Sequence, residues 1–370
     1  MANQFIEVKE IARQLLPRLI ENLVFPNLVY RDYSNEFVKG KGSKIQVKKP
    51  VVLKADEFNE SEGTKAQDVK EESVEVTLDR LATVDVDFTA IQMVTNVDDL
   101  NRLFLEPAAV ALAEKINADG LELYKDIPYC VGTAGTTPST LNDIADARKM
   151  LNINKVPVNG RVAIWDPEAD AKFTTIPAIV NAEKSGSTQA LREGSIGRVM
   201  GLENYMAQGI KVHEAGSLAG TTGIKASAKT NAGLNTITLS KDTLTGNVKK
   251  GDIINIAKNN YVVTEDATAS TNSITVKLYP ALKADVNTSD TIKIEAGHTA
   301  NLAFNPNAFA FVTRPLSSPS GVDAYTTSYN GITLRVVKGY DMHTKKEMLS
   351  MDVLYGYKTM YPELATRILG

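Results

Sequence analysis

The chain is 370 residues long, with 43% hydrophobic and 23% charged residues; at roughly 150 residues per domain this predicts two or three globular domains and excludes a disordered or collagen-like polymer. Lysine and arginine total 41 against 44 acids, a formal charge of −3, which argues against a dedicated nucleic-acid binder with clustered cations. Aromatics are only 6%, and the lone cysteine, Cys130, excludes an internal disulfide framework and a zinc site of several thiolates.

No run reaches 18 apolar residues, so no membrane-spanning helix is expected. Glu7 and Glu10 stand where a secretory leader would be basic and then apolar, so the expected location is the cytoplasm that makes the chain. Phe5, Val8, Ile11, Ala12, Leu15, Leu16, Leu19, Ile20 and Leu23 recur at helical spacing, with Pro17 expected to kink or split the helix. Its apolar stripe needs a dock, either the same chain folded back or a neighbouring subunit.

Lys44 to Leu53 and Ser73 to Phe88 alternate apolar and polar residues, the mark of strands with one exposed face. Lys54 to Glu72, between them, reads as a polar loop. Charge is segregated here: lysines 39, 41, 44, 48, 49 and 54 come first, and acids dominate from Asp56 to Glu72. A long two-stranded arm has too little apolar surface to stand alone. Its polarised charge fits an arm lying across oppositely charged neighbours, while a solvated hairpin is the plainer alternative. The candidate inter-subunit contacts are Lys44, Lys48, Lys49, Lys54, Asp56, Glu57, Glu60, Glu62, Glu71 and Glu72.

Pro107 to Asp126 is the clearest helix, with proline in its first turn and Gly120 weakening its end; it would run about 30 Å. Ser139 or Thr140 caps a helix from Leu141 to about Leu151. Arg161 to Trp165 reads as a strand, and Asp166-Pro167-Glu168 as the start of another helix. Thr188 to Gly201 is loop-rich. Near Thr221 the composition shifts to threonine, asparagine, serine and lysine, and up to Gly297 six short β-type runs appear: Ile224 to Thr230, Thr236 to Ser240, Asp252 to Ala257, Tyr261 to Glu265, Ser273 to Leu278 and Thr291 to Glu295. They predict a small barrel or sandwich inserted within a larger domain. Phe304 to Thr313, Ala324 to Tyr329, Ile332 to Lys338 and Glu347 to Tyr357 then read as an antiparallel meander, with Asn330-Gly331 as a tight hairpin.

Chemistry is sparse. His213, His298 and His343 are isolated in sequence, and Cys130 reads as a small hydrophobe. The glycines between Gly194 and Gly201 have the wrong spacing for a nucleotide loop. No catalytic residue, metal ligand or cofactor is assigned, and an assembly role is favoured over turnover. A deep pocket placing His213 or His343 among carboxylates would point instead to an enzyme with an accessory β-domain.

The order of parts resembles a tailed-phage major capsid protein of the HK97-like fold. Gly194-Ser195-Ile196-Gly197-Arg198-Val199-Met200-Gly201-Leu202 resembles the glycine-bearing stretch ahead of an A-domain strand, and Val353 to Glu363 is similar to the closing strand and proline-bearing tail. Asn235 to Ser240 and Val248 to Ala257 resemble the insertion domain of P22-like coat proteins. The resemblance implies an α+β HK97-like capsid fold with an inserted small all-β barrel. Residues 1–35 would be an N-terminal arm, 36–96 the E-loop and flanking strands, and 97–150 a P domain with its spine helix. Residues 151–221 would be A and P domain, 222–296 the insertion domain, and 297–370 the return to A and P domain with the tail. It implies a self-assembling shell of pentamers and hexamers around double-stranded DNA, with scaffolding protein and portal as partners, no cofactor and no membrane. A slight acid excess would keep contact with packaged DNA weak. An encapsulin-type compartment of the same fold is the alternative.

Overall fold

The computed structural model describes residues 8–31, 44–48, 73–89, 106–186, 188–329, 331–343 and 346–370. Helix α1 (Val8–Asn22) buries Val8, Ile11, Ala12, Leu15, Leu16 and Leu19, and is followed by the short α2 (Phe25–Leu28). Pro17 lies inside α1 without splitting it. Buried Leu15, Leu16 and Leu19 flank the proline on both sides, and their packing outweighs the lost backbone bond. The stripe docks on the same chain, against α3 (Glu106–Leu121) and two strands of the long sheet described below.

Strands β1 (Lys44–Lys48) and β2 (Ser73–Thr77) pair antiparallel, Lys44 opposite Thr77 and Lys48 opposite Ser73. The segment read as one strand from Ser73 is two, because the chain changes partner: β2 stays with β1, while β3 (Arg80–Thr89) joins the long sheet. The predicted long helix likewise divides, α3 ending at Leu121 and a 3-10 turn covering Glu122–Asp126. Beyond it lie β4 (Cys130–Gly132), α4 (Leu141–Ile153), β5 (Val162–Trp165) and α5 (Pro167–Thr174). Thr140 and Asp143 form a reciprocal capping box on α4, and the Asp166 carboxylate accepts from the Glu168 and Ala169 amides at the start of α5.

Strands β6 (Arg198–Val199), β7 (Leu202–Met206) and β8 (Val212–His213) lead to the inserted module. Its strands are β9 (Ile224–Ala226), β10 (Thr236–Ser240), β11 (Asn247–Val248), β12 (Ile253–Ile256), β13 (Asn259–Val263), β14 (Ala267–Thr268), β15 (Ser273–Tyr279) and β16 (Thr291–Ile294). Six of them close a barrel in the order β10-β15-β13-β12-β16-β9, and each of the six β-type runs seen in the sequence overlaps one. The barrel has its own core, including Ile224, Leu239, Ile254, Val263, Val276 and Ile294.

The rest of the chain is β17 (His298–Phe304), β18 (Phe309–Thr313), β19 (Asp323–Tyr329), β20 (Ile332–Asp341), β21 (Lys346–Thr359) and β22 (Ala365–Leu369). The long sheet runs β18-β21-β20-β19 with β3 on β21. Only β19, β20 and β21 form the expected meander; β18 pairs with the end of β21, beyond the stretch that β20 covers. Helix α3 packs on β3 and β21. At its end Asp119 receives the Tyr355 hydroxyl at 2.6 Å and the Lys115 ammonium at 2.8 Å. Burial alone would raise this carboxyl, but Lys115, Tyr355 and Arg80 together hold it below the usual range. The second sheet runs β4-β22-β17-β5-β7-β6, with β8 also on β17. It is mixed: β5 and β7 are parallel, as are β22 and β4, while β17 is antiparallel to its neighbours. Helices α4 and α5 cover one face, where Ile144, Leu151 and Phe173 cluster with Trp165 of β5.

Candidate functional site

Two places bear on function: the root of the charged arm and the seam where the barrel meets the second sheet. At the root, Val47, Val76 and Leu78 pack with Ala310, Val312 and Met360. Apolar burial therefore fixes the β1–β2 pair against the body of the molecule. Gly356 of β21 permits the crossing, since a Cβ there would run into the Thr77 carbonyl. Lys44 pairs with Glu75 at 2.6 Å, both side chains largely in solvent, a contact of little weight for stability. The backbone of Lys48 closes the β1–β2 ladder. Lys49, Lys54, Asp56, Glu57, Glu60, Glu62, Glu71 and Glu72 lie outside the described residues.

The seam is what sequence reasoning missed. His213 and His298, 85 positions apart by numbering, stand directly opposite each other in the β8–β17 ladder, with ring centroids at 5.2 Å. The 3-10 turn contributes Tyr124, the barrel contributes Asp252, and β22 contributes Arg367; all five are buried. His213 Nε2 lies 2.8 Å from Asp252 Oδ1, and its Nδ1 lies 3.0 Å from the Tyr124 hydroxyl. Asp252 also accepts from the Gly216 amide at 3.1 Å and the Lys249 amide at 2.8 Å. Arg367 donates to the carbonyls of Gly251 at 2.9 Å and Tyr124 at 2.5 Å, with its guanidinium 4.8 Å over the Tyr124 ring. One signal was available: the two histidines bracket the inserted module in sequence, so its entry and exit bring them together.

An aspartate–histidine–tyrosine chain has the outline of a proton relay, but its environment suits holding better than turnover. Burial pushes Tyr124 up to about 12 despite Arg367, so its oxygen stays a protonated hydroxyl at neutral pH. Burial likewise pushes the Cys130 thiol up to about 11, and Asn260 of the barrel donates to its sulfur at 3.0 Å. Arg367 is drawn down to about 10 by burial, so it remains a cation. A groove of 690 Å³ lies outside, lined by Lys211, Glu214, Lys249, Lys250, Glu265 and Asp266 among others. Tyr124 and His213 form part of its wall. His343 is exposed in the β20–β21 connection. Among the described residues, no three histidine, cysteine or acidic side chains converge to hold a metal ion.

No family model matches the chain. Over its whole length it is similar to the major capsid protein of Acyrthosiphon pisum secondary endosymbiont phage 1: 20% identity over 415 aligned positions, covering 97% of each chain. Among solved structures it is similar to that of Mycobacterium phage Che8, with a TM-score of 0.53, 18% identity and coverage of 94% and 90% of the two chains. The capsid of cyanophage P-SCSP1u gives a TM-score of 0.53 at 13% identity, over 94% and 88%. The chain therefore has the HK97-like fold of phage major capsid proteins.

Proposed function

We propose that the chain is the structural major capsid protein of a tailed phage, assembling with copies of itself into the pentamers and hexamers of an icosahedral shell around double-stranded DNA. The observation that carries this reading is similarity over 97% of the chain to a major capsid protein. Residues 222–296 then serve as the insertion domain of a P22-like coat protein, and Lys44, Lys48, Lys49 and Lys54 with the acids from Asp56 to Glu72 make contacts between subunits. Scaffolding protein and a portal are the expected assembly partners. The protein acts by position, without catalytic turnover, in the virion capsid, after assembly in the cytoplasm of the host bacterium. Segregated, reversible charge contacts suit this role because misplaced subunits can dissociate and re-dock.

The test is direct. Full-length protein, purified and examined by electron microscopy with and without a co-expressed scaffolding protein, should form closed shells of uniform diameter. Protein that stays monomeric at high concentration under both conditions would sink the proposal.

A further inference from the structure

The two ring nitrogens of His298 have opposite kinds of partner. Nδ1 lies 2.9 Å from the Ala296 carbonyl oxygen, which can only accept. Nε2 lies 3.4 Å from Nη1 of Arg367, which can only donate. These neighbours select the neutral ring with its proton on Nδ1. A second proton would have to sit on Nε2, pointing at a guanidinium. That same Nη1 donates to the Gly251 carbonyl, in the turn that seats the barrel against Tyr124 and His213.

We propose that His298 is an acid-sensitive latch: a proton on its ring drives Arg367 from its place and releases the Lys249–Asp252 turn, loosening the barrel from the second sheet while each stays folded. The charged and titratable groups around the ring are Arg367 from β22, His213 from β8, Tyr124 from the 3-10 turn and Asp252 from the barrel. Asp126 and Cys130 also act electrostatically on Arg367. Asp252, the carboxylate in this cluster, already accepts from His213 and two backbone amides. Burial first, and Arg367 second, lower His298 to about 4, which agrees with the geometry. The barrel keeps a closed hydrogen-bond cycle and its own apolar core, so unseating need not unfold it. The inference concerns the seam of one subunit and holds whether or not the chain builds a shell.

Amide hydrogen exchange on the full chain tests it, at about pH 7.5 and about pH 4.5, with rates corrected for the intrinsic effect of acid. Protection of the Gly216 amide, which bonds the Asp252 carboxylate from outside the barrel, should fall about tenfold or more in acid, while the β20–β21 ladder changes less than about twofold. His298→Asn keeps a donor near the Nδ1 position and cannot take the second proton, so this selective loss should vanish. A uniform loss along the chain, or an unchanged acid response in H298N, would overturn the latch. Should H298N not fold, titration of the wild-type His298 ring by NMR decides. A midpoint coinciding with the loss of Gly216 protection supports the latch, and separate midpoints overturn it.

Discussion

Gly120 sits in the last turn of α3, where alanine would ordinarily favour the helix by about 1 kcal/mol. Here the neighbours decide otherwise. A Cβ at this position would overlap the buried Phe25 ring and come within 2.8 Å of Tyr357 Cζ. Overpacking of this kind costs about 1–3 kcal/mol, so Gly120→Ala should lower the denaturation midpoint; a rise would show that the two rings can give way. In the sequence Gly120 looks like a weak point of a helix, because nothing local announces the two rings. His298 is the other residue with a large, signed effect. Held down to about 4 from a reference of 6.5, it favours a folded state that binds the proton later than the unfolded chain does. Its stabilisation is complete above about pH 6.5 and is lost as pH falls toward 4, by about 3 kcal/mol in all. Denaturant titrations at a series of pH values should show stability rising with pH across this window, less steeply in H298N. Equal slopes would assign the dependence to carboxylates.

The barrel is the element whose contribution can be separated most cleanly. Removing residues 222–296 removes the Gly251 carbonyl that receives Arg367 and the Asp252 carboxylate that receives His213. Arg367 and two histidines would then be left in a half-open seam, and an uncompensated charge in such a place costs several kcal/mol. The deletion variant should express yet aggregate, as measured by its soluble fraction after sedimentation; soluble protein that still assembles would deny the barrel a role in folding. Such strands were legible because each carries its own alternation and turn residues: Thr236–Ser240 buries Ile237 and Leu239 and leaves Thr236 exposed. The break between β2 and β3 was not legible, since Val74, Val76, Leu78, Ala82, Val84 and Val86 keep one parity straight through it. Only the change of partner from β1 to β21 creates the break, and that is a tertiary fact. The seam was hidden for the same reason. Arg367 lies past the last strand read from the sequence, and only the pairing of β22 with β4 and β17, together with the barrel, encloses it.

At the scale of the whole molecule, apolar burial and exposed charge act differently at the β1–β2 pair, and that difference can be tested. Val47, Val76 and Leu78 fix the arm root by burial, whereas the charge visible there, Lys44 with Glu75, is largely solvent-exposed. Reversing exposed charge therefore changes monomer stability by less than about 1 kcal/mol. Assembly multiplies the same change over every subunit contact and replaces attraction with repulsion wherever a lysine met an acid. Lys48→Glu combined with Lys49→Glu should leave the denaturant midpoint nearly unmoved while light scattering shows slower and less complete assembly, an effect that weakens in high salt as screening removes the added repulsion. Equal losses in stability and assembly would mean that these lysines serve the fold of their own chain. Unchanged assembly at low salt would mean that the arm's charge faces only water, and the contacts that close the shell would then have to be sought on the sheets.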